Sequence, residues 1–386
     1  MRIIVLALLP VLANAQNPQS EAGYQHFYNL EFEDALKDFQ AEISAHPDSP
    51  SGYNHVAHTI LYREMFRSGA LESEIVTGTN PFLTRSGLKS SSEEEKQFAD
   101  SIGRALMLED TRLKTNPDDT QALYEQGVTY GLRANYSFLV KKAWSDALRD
   151  ATSARKAHAR ATEIDPHFID ARLLQGVYDY VTGSLPVGWR MLGFLAGFHG
   201  DRERGIATLK LVADEGKNNR DDAAVLLCAV LRREHRSGQT VPYVKALIQK
   251  YPRNFLLRLE LANMYGEAGD KNNALQAVNL VDQLKRTHTP GFAPLAEEKI
   301  RYTRGNILFW YRELDPAIED LKAATANAAA LDPNTSVFAW LRLGQTYDMK
   351  GQRRFALNAY LQTLVVASES DAAKEAQSYM FSRYKR

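Results

Sequence analysis

The feature that most constrains this fold is a spacing that recurs along the chain. Trp340, Leu343, Gly344, Tyr347, Gly351, Ala356 and Tyr360 show it most fully. It returns at Leu261, Ala262, Tyr265, Gly269, Ala274 and Val278, and again at Gly305, Leu308, Ala317, Leu321 and Ala324. Gly23, Ala35, Phe39 and Pro47 carry its outline at the start of the chain. A small residue followed twelve places later by another lets two helices approach closely, while the large residues between them fill the gap to the next pair. Prolines close the units because the ring cannot continue a helix. One such pair cannot bury its apolar face alone, so the spacing predicts a row of them.

Walking the spacing outward gives about eight hairpins and a final capping helix over Ser370 to Tyr384. The second opens with Tyr53, Ala57 and Ile60, and its partner helix is expected over Glu93 to Thr115. The third starts at Leu123, Gly127 and Tyr130, the fourth at Arg172 and Gly176, and the fifth carries Leu227, Cys228 and Leu231. Asn116-Pro117, Asp165-Pro166 and Asp332-Pro333 fall at the joints as turn initiators. Three insertions interrupt the period, near 68–92, 134–150 and 184–200. The first reads as a loop; in the second, Tyr136 to Glu163 reads as one extended helix. At Gly176 the aromatic lies at Tyr178 or Tyr180, which leaves the register of that unit open.

The pattern W-x₂-L-G-x₂-Y…A-x₃-F resembles the tetratricopeptide (TPR) repeat. The resemblance covers nearly all of residues 16–386 as a single array and is most specific in the last three hairpins and the first. It implies an all-α fold, a right-handed superhelical solenoid, in which the first helix of each hairpin lines a concave groove. A protein or peptide partner is the occupant that such a groove implies. The ninth repeat position faces it, and is Asn263, Asn306 and Gln345 in three successive units. Carboxamides both donate and accept, so this ladder is expected to grip a backbone without demanding particular side chains. Tyr302, Phe309, Trp310, Leu259, Leu341 and Met349 fall nearby in register, and Arg232 and Arg233 are expected to add positive charge. Repeated Lys and Arg of the carboxylate-clamp type are lacking, and Lys299 alone makes no clamp.

Bulk composition narrows the class further. The 386 residues are 44% hydrophobic and 24% charged with a net charge of +0, and a balanced chain with no basic run argues against nucleic acid as partner. Met1-Arg2, the apolar Ile3 to Leu12 and Ala13-Asn14-Ala15 before Gln16 read as a cleavable export signal, too short to span a bilayer, which takes roughly 20 apolar residues. The expected location is periplasmic or secreted. Cys228 is the only thiol, so no disulfide can form within the chain.

The insertion 184–200 is almost uncharged. Leu185, Trp189, Met191, Phe194 and Phe198 make it a candidate docking element, toward a partner, an apolar ligand or a membrane surface. His55 and His58 lie three apart on one expected helix, a spacing that gives two ligands without a second pair; no metal site is assigned. Cys228 takes the small eighth position of its repeat, where burial is expected. No hydrolase, zinc-protease, phosphate-loop or dinucleotide motif occurs, so neither a cofactor nor a catalytic residue is assigned. Asp118-Asp119 and Asp221-Asp222 are read as helix starts.

Overall fold

The computed structural model describes residues 18–71, 90–185 and 200–386. The export signal, most of insertion 68–92 and residues 186–199 lie outside them. Every regular element among the described residues is helical, and the fold class is all-α, a solenoid of helix hairpins. The chain divides into two compact units, Met1–Glu64 with Gly87–Val230, and Met65–Ser86 with Leu231–Arg386.

The first unit contains α1 (Pro18–Tyr28), α2 (Phe32–Ala45), α3 (Pro50–Arg67, its last turn belonging to the second unit), α4 (Ser92–Thr115), α5 (Thr120–Leu139), α6 (Trp144–Ile164), α7 (Leu173–Gly183), α8 (Arg202–Glu215) and α9 (Arg220–Arg233, shared in the same way). Gly23 packs on Phe39 so closely that a Cβ would collide with the ring. In the third hairpin Gly127 meets His158 instead, with Ala147, Ala154 and Ala161 seven apart along the same buried face of α6. The insertion near 134–150 is therefore shared between both helices, which run from Thr120 to Leu139 and from Trp144 to Ile164. The expected single helix over Tyr136 to Glu163 breaks at Val140–Ala143, where Lys142 takes the left-handed conformation (φ 53°) with no glycine to announce it. The fourth hairpin's register also resolves: Gly205 packs against the backbone of Tyr180, Leu209 follows four places on, and Asp179 fills the aromatic position, held by Arg204 at 2.7 and 2.8 Å.

The second unit contains α10 (Val241–Lys250), then the hairpins α11 (Phe255–Glu267) with α12 (Lys271–Arg286), α13 (Glu297–Trp310) with α14 (Leu314–Ala326) and α15 (Pro333–Met349) with α16 (Arg353–Ala367), and finally α17 (Asp371–Phe381). Here the repeat positions fill as the spacing predicts. Ala274, Val278 and Val281, then Ala317, Leu321 and Ala324, then Ala356 and Tyr360 are completely buried. A Cβ on Gly305 would come within 2.9 Å of Leu321, and Gly344 sits under the Tyr360 ring. Each buried large side chain contributes about 1.5–3 kcal/mol. Asp332-Pro333 starts α15 as expected: the Asp332 carboxylate accepts the Thr335 N–H at 2.9 Å, and proline needs no partner in a first turn. The capping helix stops at Phe381, short of Tyr384, and residues 382–386 follow without regular secondary structure.

Candidate functional site

Position nine of a first helix follows immediately on the small residue that packs against the second helix. Asn263 on α11, Asn306 on α13 and Gln345 on α15 consequently point away from their own hairpins, and all three line one cavity of about 810 Å³ in the second unit. Leu341 and Arg232 line it too, together with Trp310, Tyr311, Phe338, Arg342, Glu375 and Tyr379.

The three carboxamides have different surroundings. Gln345 is buried and accepts a hydrogen bond from Arg342 Nη1 at 2.7 Å. Asn263 is half-buried at the rim. Asn306 is only 6% exposed, and its Oδ1 has no hydrogen-bond donor within reach among the described residues. Leaving a buried acceptor unmet costs about 1–3 kcal/mol, so the Asn306 side chain carries a standing cost in the fold.

Charge is distributed otherwise than expected. Arg232 is 3% exposed and bound to Glu260 at 3.1 Å and Glu267 at 2.5 Å, with Ser237 donating to the second oxygen of Glu267. Two carboxylates facing one guanidinium cancel the positive charge predicted for this wall. Arg233 is half-buried and does not line the cavity. Tyr302 turns into the core with Leu321, Ala324, Val337 and Leu341, and Leu259 is likewise buried. Phe309 is fully buried, packed with Leu308, Ala317 and Met349 and covered by Tyr384. Lys299 is spent inside the fold on Asp332, at 2.6 Å. Burial pushes the Asp332 carboxyl up, but the Lys299 ammonium and the Thr335 hydrogen bonds outweigh it and hold it below its ordinary value.

Arg342, Tyr379, Tyr384 and Arg386 escaped the sequence reading. The Arg342 guanidinium lies 4.5 Å from the ring centres of both Phe309 and Trp310, and Arg386 lies 4.2 Å from that of Trp310. These contacts join positions outside the repeat spacing, so no one-dimensional pattern marks them. Of the candidate docking insertion, Leu185 is half-buried just after α7, and Trp189, Met191, Phe194 and Phe198 lie outside the described residues.

The first unit is rich in buried polar groups. His55 donates to Glu42 at 2.8 Å, and His58 packs between Phe27 and Tyr62, with ring centres 4.6 and 4.3 Å away. Glu109 meets Thr129 at 2.5 Å and Asn54 at 3.4 Å, while Glu125 takes Arg112 at 2.9 Å and Ser51 at 3.0 Å. The Asp170 carboxylate accepts the N–H groups of Asn218 and Asn219 at the start of α9. Among the described residues no group of three His, Cys, Asp or Glu is placed to hold a metal, and no helix is long and apolar enough to cross a membrane.

No protein-family model matches the chain, and no curated protein matches it. Among solved structures, it is similar to the APC/C hetero-tetramer Cut9–Hcn1 (13% identity, 93% of this chain and 74% of that chain, TM-score 0.39). It is also similar to the P58(IPK) TPR domain (13%, 94% and 87%, 0.23) and to the human IFIT1 dimer with m7Gppp-AAAA (13%, 93% and 92%, 0.31). With TM-scores below 0.5, these likenesses carry nothing about partners or activity. The repeat packing itself, small residue on large at fixed places in hairpin after hairpin, is of the TPR type.

Proposed function

We propose that this chain is an exported, non-enzymatic scaffold that holds a segment of a partner protein in the trough of its second unit, along Asn263, Asn306 and Gln345. The observation that carries the reading is the buried, unmet Asn306 oxygen in the wall of a cavity shared by three successive hairpins. A peptide N–H supplies what that oxygen lacks, and Leu341 and Phe338 supply apolar contact beside it. Peptides selected by display against the whole chain are expected to lose at least tenfold in affinity on Asn263→Ala with Asn306→Ala; unchanged affinity rejects the groove. Export is supported by the pattern of residues 1–15. Expression of the full chain in a bacterium is expected to give periplasmic protein beginning at Gln16, and an uncleaved cytoplasmic product refutes it.

The apolar run Leu185 to Phe198 supports a second reading, peripheral contact with a membrane surface. Intact protein is then expected to float with phosphatidylglycerol-containing liposomes, and protein lacking 184–199 to stay in the soluble fraction. Intact protein that fails to float removes this reading.

A further inference from the structure

The groove of the second unit already holds a piece of chain. After α17 the backbone turns extended at Ser382 (φ −129°, ψ 121°), and Tyr384 and Arg386 come to line the same cavity as Asn263, Asn306 and Gln345. The segment is seated at four points. The Tyr384 N–H donates to Asp348 Oδ2 at 3.0 Å. Its ring meets Tyr379 edge-on at 5.1 Å and lies 6.0 Å from Phe309. Arg386 donates to the Trp310 carbonyl at 2.8 Å with its guanidinium over the indole, and Arg312 donates to the Arg386 carbonyl at 2.7 Å.

The seat and its occupant differ in how firmly they are built. Asp348 has a fully buried side chain, fixed by Arg353 at 2.8 Å and by the Tyr360 hydroxyl at 2.9 Å, so its free direction is preorganised whether or not Tyr384 is present. Phe309 is locked in the core. The segment itself is largely in solvent: Ser382, Arg383, Lys385 and Arg386 are exposed and only Tyr384 is half-buried. Its two arginine-to-carbonyl hydrogen bonds lie in solvent, where the net gain of a hydrogen bond or of a cation–π contact is small. A rigid seat holding a weakly held strap is the arrangement of a competitor.

We propose that residues 382–386 are a resident strap, and that the groove's external occupant is an extended basic–aromatic peptide segment, which takes over the Asp348 acceptor, the Tyr379–Phe309 wall and the Trp310 face when the strap leaves. The proposal rests on the groove reading above and names the chemistry of its partner. An aromatic side chain two residues before an arginine, outside any helix, reproduces every contact the strap makes. Because the strap is tethered, it competes at an effective concentration on the order of millimolar, and it sets a threshold that only a better-matched segment exceeds.

The test uses the whole chain in two forms, intact and Tyr384→Gly with Arg386→Gly. The probe is a labelled peptide of sequence SYMFSRYKR, copied from residues 378–386, titrated by fluorescence anisotropy. The strap variant is expected to bind the probe at least tenfold more tightly than the intact chain. A probe with its second tyrosine and last arginine replaced by alanine is expected not to bind, and Trp310→Ala in the strap variant is expected to abolish binding of the original probe. Equal affinity of intact chain and strap variant, no binding to either, or equal binding of the alanine probe each overturns the strap. Matched far-UV circular dichroism and melting temperatures of the two forms guard against simple misfolding. The failures separate: a display-selected peptide that still needs Asn263 and Asn306 keeps the groove reading even when the strap fails.

Discussion

The two units place the same repeat over different interiors. In the second, the positions where one helix of a hairpin packs on the other are Val278, Leu321 and Tyr360, all completely buried. In the first unit, the corresponding places in successive hairpins are Phe39, Glu109, His158 and Leu209. Two of these four are titratable, and they join Glu42, His55, His58 and Glu125 in a buried polar interior. A core of this kind is only partly satisfied, since His158 Nε2 meets the Tyr124 carbonyl at 2.9 Å while its buried Nδ1 has no partner among the described residues, and its stability depends on protonation. One repeat spacing thus accepts either an apolar or a titratable side chain where its two helices meet.

The widest difference between them is expected in pH dependence. Burial pushes Glu109 up to about 8 from 4.5, and Glu125 is raised for the same reason. Burial pushes His58 down to about 3 and His158 to about 4, from 6.5. Between pH 4.5 and 8 folded Glu109 keeps a proton that the unfolded chain releases, so stability falls as pH rises. Below pH 6.5 the unfolded histidines gain protons that the folded ones refuse, so stability falls as pH drops, with Glu109 offsetting one of the two protons. The first unit is therefore most stable near pH 6.5 and loses about 2 kcal/mol by pH 8 and about 3 kcal/mol by pH 4.5, at about 1.4 kcal/mol per unit per proton. The second unit has Asp332 depressed by Lys299, which costs stability only as pH falls below about 4. Hydrogen exchange resolved by segment and corrected for intrinsic rates is expected to show a peaked profile for α1–α8 and a flat one for α11–α16. Glu109→Gln is expected to flatten the alkaline side and steepen the acid side of the first profile; an unchanged shape refutes the role given to Glu109.

A glycine substitution tests the same contrast at one repeat position. Gly127→Ala drives a methyl into the His158 ring and Gly344→Ala drives one into Tyr360. Overpacking of either costs about 1–3 kcal/mol. Displacing His158 also breaks its hydrogen bond to Tyr124, which adds about 1 kcal/mol. Gly127→Ala is therefore expected to be the more damaging in urea denaturation, and the reverse order removes the claim that the His158 contact is structural.

Much of this architecture was legible in the sequence, for a physical reason. Close helix contact demands a small residue, and Gly23, Gly305, Gly344, Ala274, Ala317 and Ala356 announce it at fixed intervals. What stayed hidden has no such requirement. Lys142 adopts a left-handed turn without glycine, so the break between α5 and α6 carries no mark. Asp179 replaces an aromatic because Arg204, twenty-five residues away, neutralises it. At the site, register placed Asn263, Asn306, Leu341 and Gln345 along one cavity but put Tyr302 and Phe309 there as well. Both are large rings on the first helix of the seventh hairpin, and the gap to the next hairpin took them inward. Arg232 was legible as a lining position and illegible as a charge, since its partners Glu260 and Glu267 lie on another helix.

The smallest effect is the most discriminating, because it asks each unit what its buried carboxamide is for. Asn54 in the first unit donates to Glu109 at 3.4 Å and accepts from Thr129 at 2.8 Å. Asn54→Ala removes both partners from a buried cluster and is expected to cost about 1–3 kcal/mol. Asn306 in the second unit carries an oxygen that nothing among the described residues satisfies, so truncating it removes a penalty along with its packing. Asn306→Ala is expected to change stability by under about 1 kcal/mol, in either direction, while weakening display-selected peptides. Thermal and urea denaturation of the two variants, side by side, settle the point. If Asn306→Ala destabilises as much as Asn54→Ala, its side chain belongs to the fold, and the distinction between a polar core and a polar trough is lost.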